Sequence, residues 1–207
     1  MTKRITIAIA IFAIIGGLVV FFVTLTRALW YAPEDTNFFI PTFFHKHVAA
    51  PTPSVTPTAW PVRLRIPSLK IDANVQAVGV GKSGNLAVPT NYTDAAWYKG
   101  GTLPGKVGDA VFDGHVDNGF GMDGVFRHLG DITEGDEIWV TTKGGTTYTY
   151  VVRSLKEYPY DAVPMQEIFT GDDTARLTII TCEGDWISGK KTYDHRLVVS
   201  AVLWSDN

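Results

Sequence analysis

Arg176-Leu-Thr-Ile-Ile-Thr-Cys182-Glu-Gly-Asp-Trp186 decides how the chain is read, because it holds the only cysteine of the 207 residues. Leu177 to Thr181 is rich in β-branched residues and predicts a buried strand. Glu183, Gly184 and Asp185 predict a polar turn directly after it. The thiol is thus expected where rigid scaffold meets open loop, a favoured place for a reactive group. A single cysteine cannot close an internal disulfide. It is either a small packed hydrophobe, the common state of a cysteine ending an apolar strand, or a working thiol.

Outward from this stretch the pattern is strand-like. Val62-Arg-Leu-Arg-Ile66 alternates, and Ile71 to Val80 and Asn85-Leu-Ala-Val88 follow. Asp109-Ala-Val-Phe112 leads into Asp113-Gly-His115. Glu137 to Thr141 and Thr146 to Val152 flank Lys143-Gly-Gly145, a hairpin signal. Arg196 to Trp204 is the last run. Short helical pieces are expected at Ala95 to Lys99, Val125 to Leu129 and Met165 to Phe169. About eight short strands with Gly-rich turns predict a mainly all-β chain, closed or nearly closed into an antiparallel-type barrel.

Ahead of this domain the composition changes twice. Ile5 to Thr26 carries no charge. As a helix its 22 residues would span about 33 Å, close to the hydrocarbon core of a bilayer. A cleaved signal peptide would have a shorter apolar run and a small-x-small exit. Arg27-Ala-Leu-Trp-Tyr31 is instead an interfacial exit, so residues 1–27 are read as an uncleaved single-pass anchor. The short, positive N-terminus places the bulk of the chain outside the cytoplasm. Residues 28–60 carry Pro33, Pro41, Pro51, Pro53 and Pro57 and read as an extended spacer, His45 and His47 included. Residues 61–207 are long enough for one domain with its own core.

That domain has 14 Lys and Arg against 19 Asp and Glu, a formal charge of −5. This argues against nucleic acid, which needs a basic face. No phosphate-binding glycine loop and no Cys/His metal spacing is present. Beside Cys182 stand two further groups: Phe112-Asp-Gly-His115-Val-Asp117-Asn, and Tyr193-Asp-His-Arg196-Leu-Val-Val. A nucleophilic cysteine needs a proton partner and a donor for the oxyanion formed on attack, and histidine and arginine fit those two jobs. Taken alone, His115 reads as a hydrogen-bonded turn residue and Arg196 as a surface arginine paired with Asp194. If Asp113, His115 and Asp117 share one extended segment, all three face one way. Their carboxylates would then either favour the imidazolium, and the imidazolium a thiolate on Cys182, or stay solvated and do little.

With Gly114-His115-Val-Asp117, Thr178-Ile-Ile-Thr181-Cys182 and Arg196 before Leu-Val-Val, the sequence resembles a sortase. Trp97-Tyr98, Pro104-Gly105-x-x-Gly108-Asp109-Ala-Val and Phe126-x-x-Leu129 support the likeness, which runs from about Pro61 to Leu203. The resemblance implies an eight-stranded sortase-type barrel and a cysteine transpeptidase at the outer face of a membrane. Such an enzyme cuts a short LPxTG-type sorting motif of surface proteins, holds the acyl part as a thioester, and passes it to an amine. The acceptor would be a cell-wall precursor or a pilin-type lysine. By the match, Cys182 is the nucleophile, His115 the proton donor to the leaving amine, and Arg196 steadies substrate and oxyanion. Thr181 and Asp117 would serve substrate binding. The motifs lean toward the class D, E or F type, with F preferred.

Two other readings use the same residues. A cysteine peptidase would let water take the acyl group, and a tethered β-domain would bind peptides with Cys182 buried and inert. Cofactors are expected to be none. Asp117, Asp123, Asp172 and Asp173 offer the oxygen ligands calcium prefers, without a spacing that fixes coordination.

Overall fold

The computed structural model describes residues 2–30, 35–39, 57–81, 84–118, 121–170 and 173–205, the side chains of residues 2–11, 27–30, 35–39, 57 and 170 excepted. Helix α1 spans Thr2–Trp30, and Phe12, Leu18, Phe21 and Phe22 on it are exposed. Among the described residues no helix is long and apolar enough to cross a membrane. Most of the segment read as a spacer, with His45 and His47, lies outside the described residues. Within it, Asp35–Phe39 (β1) pairs antiparallel with Asn85–Ala87 (β4).

Eight further strands close into a barrel. They are β2 (Pro61–Ile66), β3 (Ile71–Val78), β5 (Ala95–Tyr98), β6 (Gly108–Asp113), β7 (Glu137–Thr142), β8 (Thr147–Pro159), β9 (Ala175–Ile187) and β10 (Thr192–Leu203). Their order around the barrel is β10-β8-β7-β2-β3-β5-β6-β9, and β9 pairs with β10 to close it. Closure removes the sheet edges that would otherwise invite foreign strands. The barrel is not purely antiparallel, since β3 runs parallel to β5 and β6 parallel to β9.

Alternation sets two apolar layers. Leu64, Trp97, Phe112, Ile138, Tyr150, Leu177 and Ile179 point inward and are almost fully buried. On the outer face of the same sheet Ala96, Tyr98, Val111, Ile180 and Val198 pack under Ile168 of a short helix, α2 (Met165–Thr170). Strands β5 and β6 are therefore covered on both sides. This explains a correction: of Ala95 to Lys99, expected as helix, Ala95–Tyr98 is a strand whose four residues are all buried. Ala95 and Ala96 favour helix by propensity, but burial between two layers and pairing to β3 and β6 override it. Val125 to Leu129 forms turns ahead of a single 3-10 turn (Leu129–Asp131), whereas Met165–Thr170 is the helix expected.

Candidate active site

Cys182 does not end its strand. Strand β9 continues to Ile187, still paired with β10. The polar residues Glu183-Gly-Asp form a bulge in which Gly184 and Asp185 oppose Asp194 alone. Gly184 has φ +82°, and a Cβ there would lie 2.1 Å from the Asp194 carboxylate. A glycine in the left-handed conformation opening a two-against-one step is how an antiparallel ladder takes such a kink. The Asp185 N–H donates to Asp194 Oδ1 at 2.7 Å and holds the bulge.

Across the ladder, Cys182 and Arg196 are direct partners, so their side chains leave the same, outer face. Cys182 is half-buried. Arg196 is 2 % exposed and is not the surface arginine its sequence context suggests. Asp194 turns instead to His195, 2.9 Å away. The Arg196 guanidinium donates Nη1–H groups to the Tyr193 and His195 carbonyls (3.1 and 2.8 Å) and an Nη2–H to Thr192 Oγ1 (2.7 Å). Of its five N–H groups, Nε–H and one Nη2–H remain able to donate.

His115 lies two residues beyond the end of β6, in a loop tied to the cysteine strand. The Thr181 hydroxyl donates to the Gly114 carbonyl at 2.8 Å, so the residue before Cys182 grips the residue before His115. Gly114 is required there: a Cβ would sit 2.6 Å from Phe126 and Val125. Thr181 is 1 % exposed and faces the barrel interior. Its hydroxyl is committed to the His115 loop. His115 Nε2 is 3.2 Å from the Pro89 carbonyl, which can only accept, so Nε2 carries the proton and Nδ1 is the open nitrogen. The ring also packs on Tyr92, centroids 4.9 Å apart. Among the described residues no hydrogen bond joins His115 to Cys182.

The Asp113–His115–Asp117 run is not one strand, since β6 ends at Asp113 and His115 and Asp117 lie in the loop beyond it. Asp113 ends β6, is 8 % exposed, and acts electrostatically on Arg196 and Cys182. Burial raises its carboxyl to about 7, against the Gly114 N–H and Arg196. Asp117 accepts from the Tyr193 hydroxyl, which with burial pushes that phenol well up. Trp186 stacks edge-on beside Tyr193.

The expected resting ion pair is not favoured. Burial raises the Cys182 thiol to about 11; Arg196 opposes, while Asp113, Asp117 and Glu183 add to the rise. Burial also lowers the His115 imidazole, outweighing the Pro89 carbonyl and Asp117. Near neutral pH both groups rest uncharged. Among the described residues no cluster of three or more His, Cys, Asp or Glu is placed to hold a metal ion; Asp172 lies outside them. Sequence reasoning noticed Asp113 only as a neighbour of His115. Its burial depends on the parallel β6–β9 pairing, which no local pattern announces.

Residues 64–204 match the sortase domain. The chain belongs to the sortase family, whose members are cysteine transpeptidases. Among solved structures it is similar to sortase C1 of pilus island 1 of group B Streptococcus, with 21 % identity over 70 % of this chain and 64 % of that one, TM-score 0.54. The pilus island 1 sortase C2 of group B Streptococcus is 22 % identical over 69 % and 73 %, TM-score 0.54. A Clostridium perfringens sortase D5 transpeptidase is 18 % identical over 69 % and 78 %, TM-score 0.52. At such identities the likeness is one of fold. The match to the first spans just under two-thirds of its length. No curated protein matches the chain in sequence.

Proposed function

We propose that the protein cleaves a short LPxTG-type sorting motif through a Cys182 thioester and transfers the acyl group to an amine. The observation that carries this is the direct pairing of Cys182 with a buried Arg196, beside a His115 loop that Thr181 fastens to the cysteine strand. Cys182 gives its proton to the open nitrogen of His115 as its sulfur attacks the scissile carbonyl. Arg196 donates to the oxygen as charge develops there, where a fixed donor acts most strongly. The imidazolium then protonates the departing amine. An incoming amine loses its proton to His115, attacks the thioester carbonyl, and releases the thiol. The uncharged resting pair keeps the thiol quiet until a substrate excludes water and engages Arg196.

The charge-free run from Ile5 to Thr26, bracketed by Arg4 and Arg27, supports a single-pass membrane anchor with the barrel outside the cytoplasm. Sorting-signal peptides are the donors in this reading. A cell-wall precursor amine or a pilin-type lysine is the acceptor. The class D, E or F type, F preferred, rests on the residues around His115 and Trp97. The test is product mass with and without an added amine. The reading expects an amide of that amine in its presence. Only hydrolysed peptide at every amine concentration would make the protein a peptidase.

A further inference from the structure

The Pro89 carbonyl that receives the His115 Nε2–H belongs to a loop, residues 88–94, that follows β4. Pro89 is buried, and the Pro89–Thr90 peptide is trans. In a trans unit the C=O and the N–H point to opposite sides of one rigid plane. The other side of this plane is held as well. The Thr90 N–H donates to Gln76 Oε1 at 3.1 Å, and the Thr90 hydroxyl donates to the same oxygen at 3.2 Å. Gln76 sits on the outer face of β3, in register with Ala96. Its amide can face only one way: its oxygen meets two donors, and its Nε2–H meets the Asp94 carboxylate at 2.8 Å. The Asn91 Nδ2–H donates to the same Asp94 oxygen at 2.9 Å, and Asn91 Oδ1 accepts from the Asp94 N–H at 2.8 Å.

An unbroken chain of hydrogen bonds thus joins the Asp94 carboxylate, the Gln76 amide, the Thr90–Pro89 peptide and the His115 ring. Each amide in it donates on one side and accepts on the other, which strengthens the bonds in series. The last bond decides which ring nitrogen carries the proton. The Tyr92 ring packs on the imidazole and holds its plane, but a stacked ring does not distinguish the two nitrogens. A half-turn of the imidazole about Cβ–Cγ would put a C–H against the Pro89 carbonyl. A proton on Nδ1 would set that carbonyl against a lone pair. Either change takes away the open nitrogen that receives the Cys182 proton. When that proton arrives the ring is charged, and the bond from Nε2–H to a polarised carbonyl tightens. The chain therefore serves the charged ring more than the resting one, which is where rate is gained.

Resting on the transpeptidase reading, we infer that Gln76, whose bonds go to the loop and not to His115, is the positioning residue that sets the His115 tautomer through the Pro89–Thr90 peptide.

The test compares the full wild-type chain with Gln76→Met, both labelled with 15N-histidine and held in detergent micelles. Long-range proton–nitrogen spectra, taken above the pH at which the imidazole titrates, report which ring nitrogen is protonated. His115→Gln identifies the His115 signals among the five histidines. In the wild type His115 should show one tautomer, protonated at Nε2. In Gln76→Met its two nitrogen shifts should move toward each other as the tautomers mix. The kcat for peptide with amine should fall about tenfold at near-constant KM, the scale of one hydrogen bond to a charged group. Gln76→Asn, one methylene too short to reach both Thr90 and Asp94, is read in the same way if Gln76→Met melts early. A wild-type His115 not protonated at Nε2, or either readout unchanged in a folded variant, would overturn the assignment. The tautomer is read without peptide. A Gln76-dependent tautomer in a chain that forms no acyl-enzyme would leave Gln76 as the residue that sets it and remove the transpeptidase.

Discussion

Asp113 and Arg196 act on Cys182 with opposite sign. The carboxylate pushes the thiol up and the guanidinium pulls it down, while burial outweighs both and leaves the thiol at about 11. Iodoacetamide alkylation of Cys182 should therefore keep accelerating with pH past the ordinary thiol range. Asp113→Asn, which keeps an oxygen for the Gly114 N–H, should shift that curve to lower pH; an unchanged curve would show that Asp113 does not act on the thiol. The same residue predicts a stability trend. Its folded carboxyl, at about 7, lies above the unfolded value near 3.8. The folded state thus holds the proton longer. The contribution is fully present below pH 3.8 and is lost as pH rises through 7, at roughly 1.4 kcal/mol per unit. Denaturant titrations between pH 4 and 8 should show the slope in the wild type and a flatter one in Asp113→Asn.

The proton and oxyanion roles are separable at this scale too. His115→Asn cannot cycle a proton and should cost about 10²–10⁴-fold in turnover. Arg196→Ala should cost about 10²–10³-fold, the range for one lost oxyanion donor, and Arg196→Lys less, because it keeps charge without the planar fork. His128→Asn should be near neutral, since His128 sits on the surface 3.7 Å from Asp123 and Asp131. A large loss at His128 with little at His115 would show the wrong histidine in the proton role.

Among the elements, β9 does most to assemble the site, and it was also only half legible. Leu177 to Thr181 declares itself through β-branched residues. The continuation to Ile187 does not, because Glu-Gly-Asp carries turn chemistry and only the pairing to β10 makes it a bulged strand. Strand β5 was hidden for a different reason, its alanines being held extended by two apolar layers. The parallel β6–β9 pairing is invisible to any local window, and with it the burial of Asp113. The link that fixes these elements around the thiol is the Thr181 hydroxyl on the Gly114 carbonyl. Thr181→Val keeps the shape and leaves that buried carbonyl unsatisfied, which should cost about 1–3 kcal/mol of stability. Turnover should fall further than a folded-fraction correction explains, while Cys182 remains alkylatable at high pH. Full specific activity in folded Thr181→Val would show that this tether does not position His115.

At the scale of the molecule, a closed barrel places Cys182 and Arg196 side by side on the outer face of β9 and β10. The barrel could be read from strand spacing and resemblance, and Cys182, His115 and Arg196 are the residues that the proposed mechanism uses. The uncharged resting state could not be read that way, because it comes from desolvation that only the packed fold imposes. The most direct measurement is intact mass after incubating the full chain with a library of LPxTG-type peptides and quenching in acid. The account predicts a mass increase equal to the acyl half of one peptide class, located on Cys182, absent in Cys182→Ala, and discharged by an added amine. Cleavage of the same peptides by Cys182→Ala, or turnover by the wild type with no Cys182-linked acyl species, would contradict it.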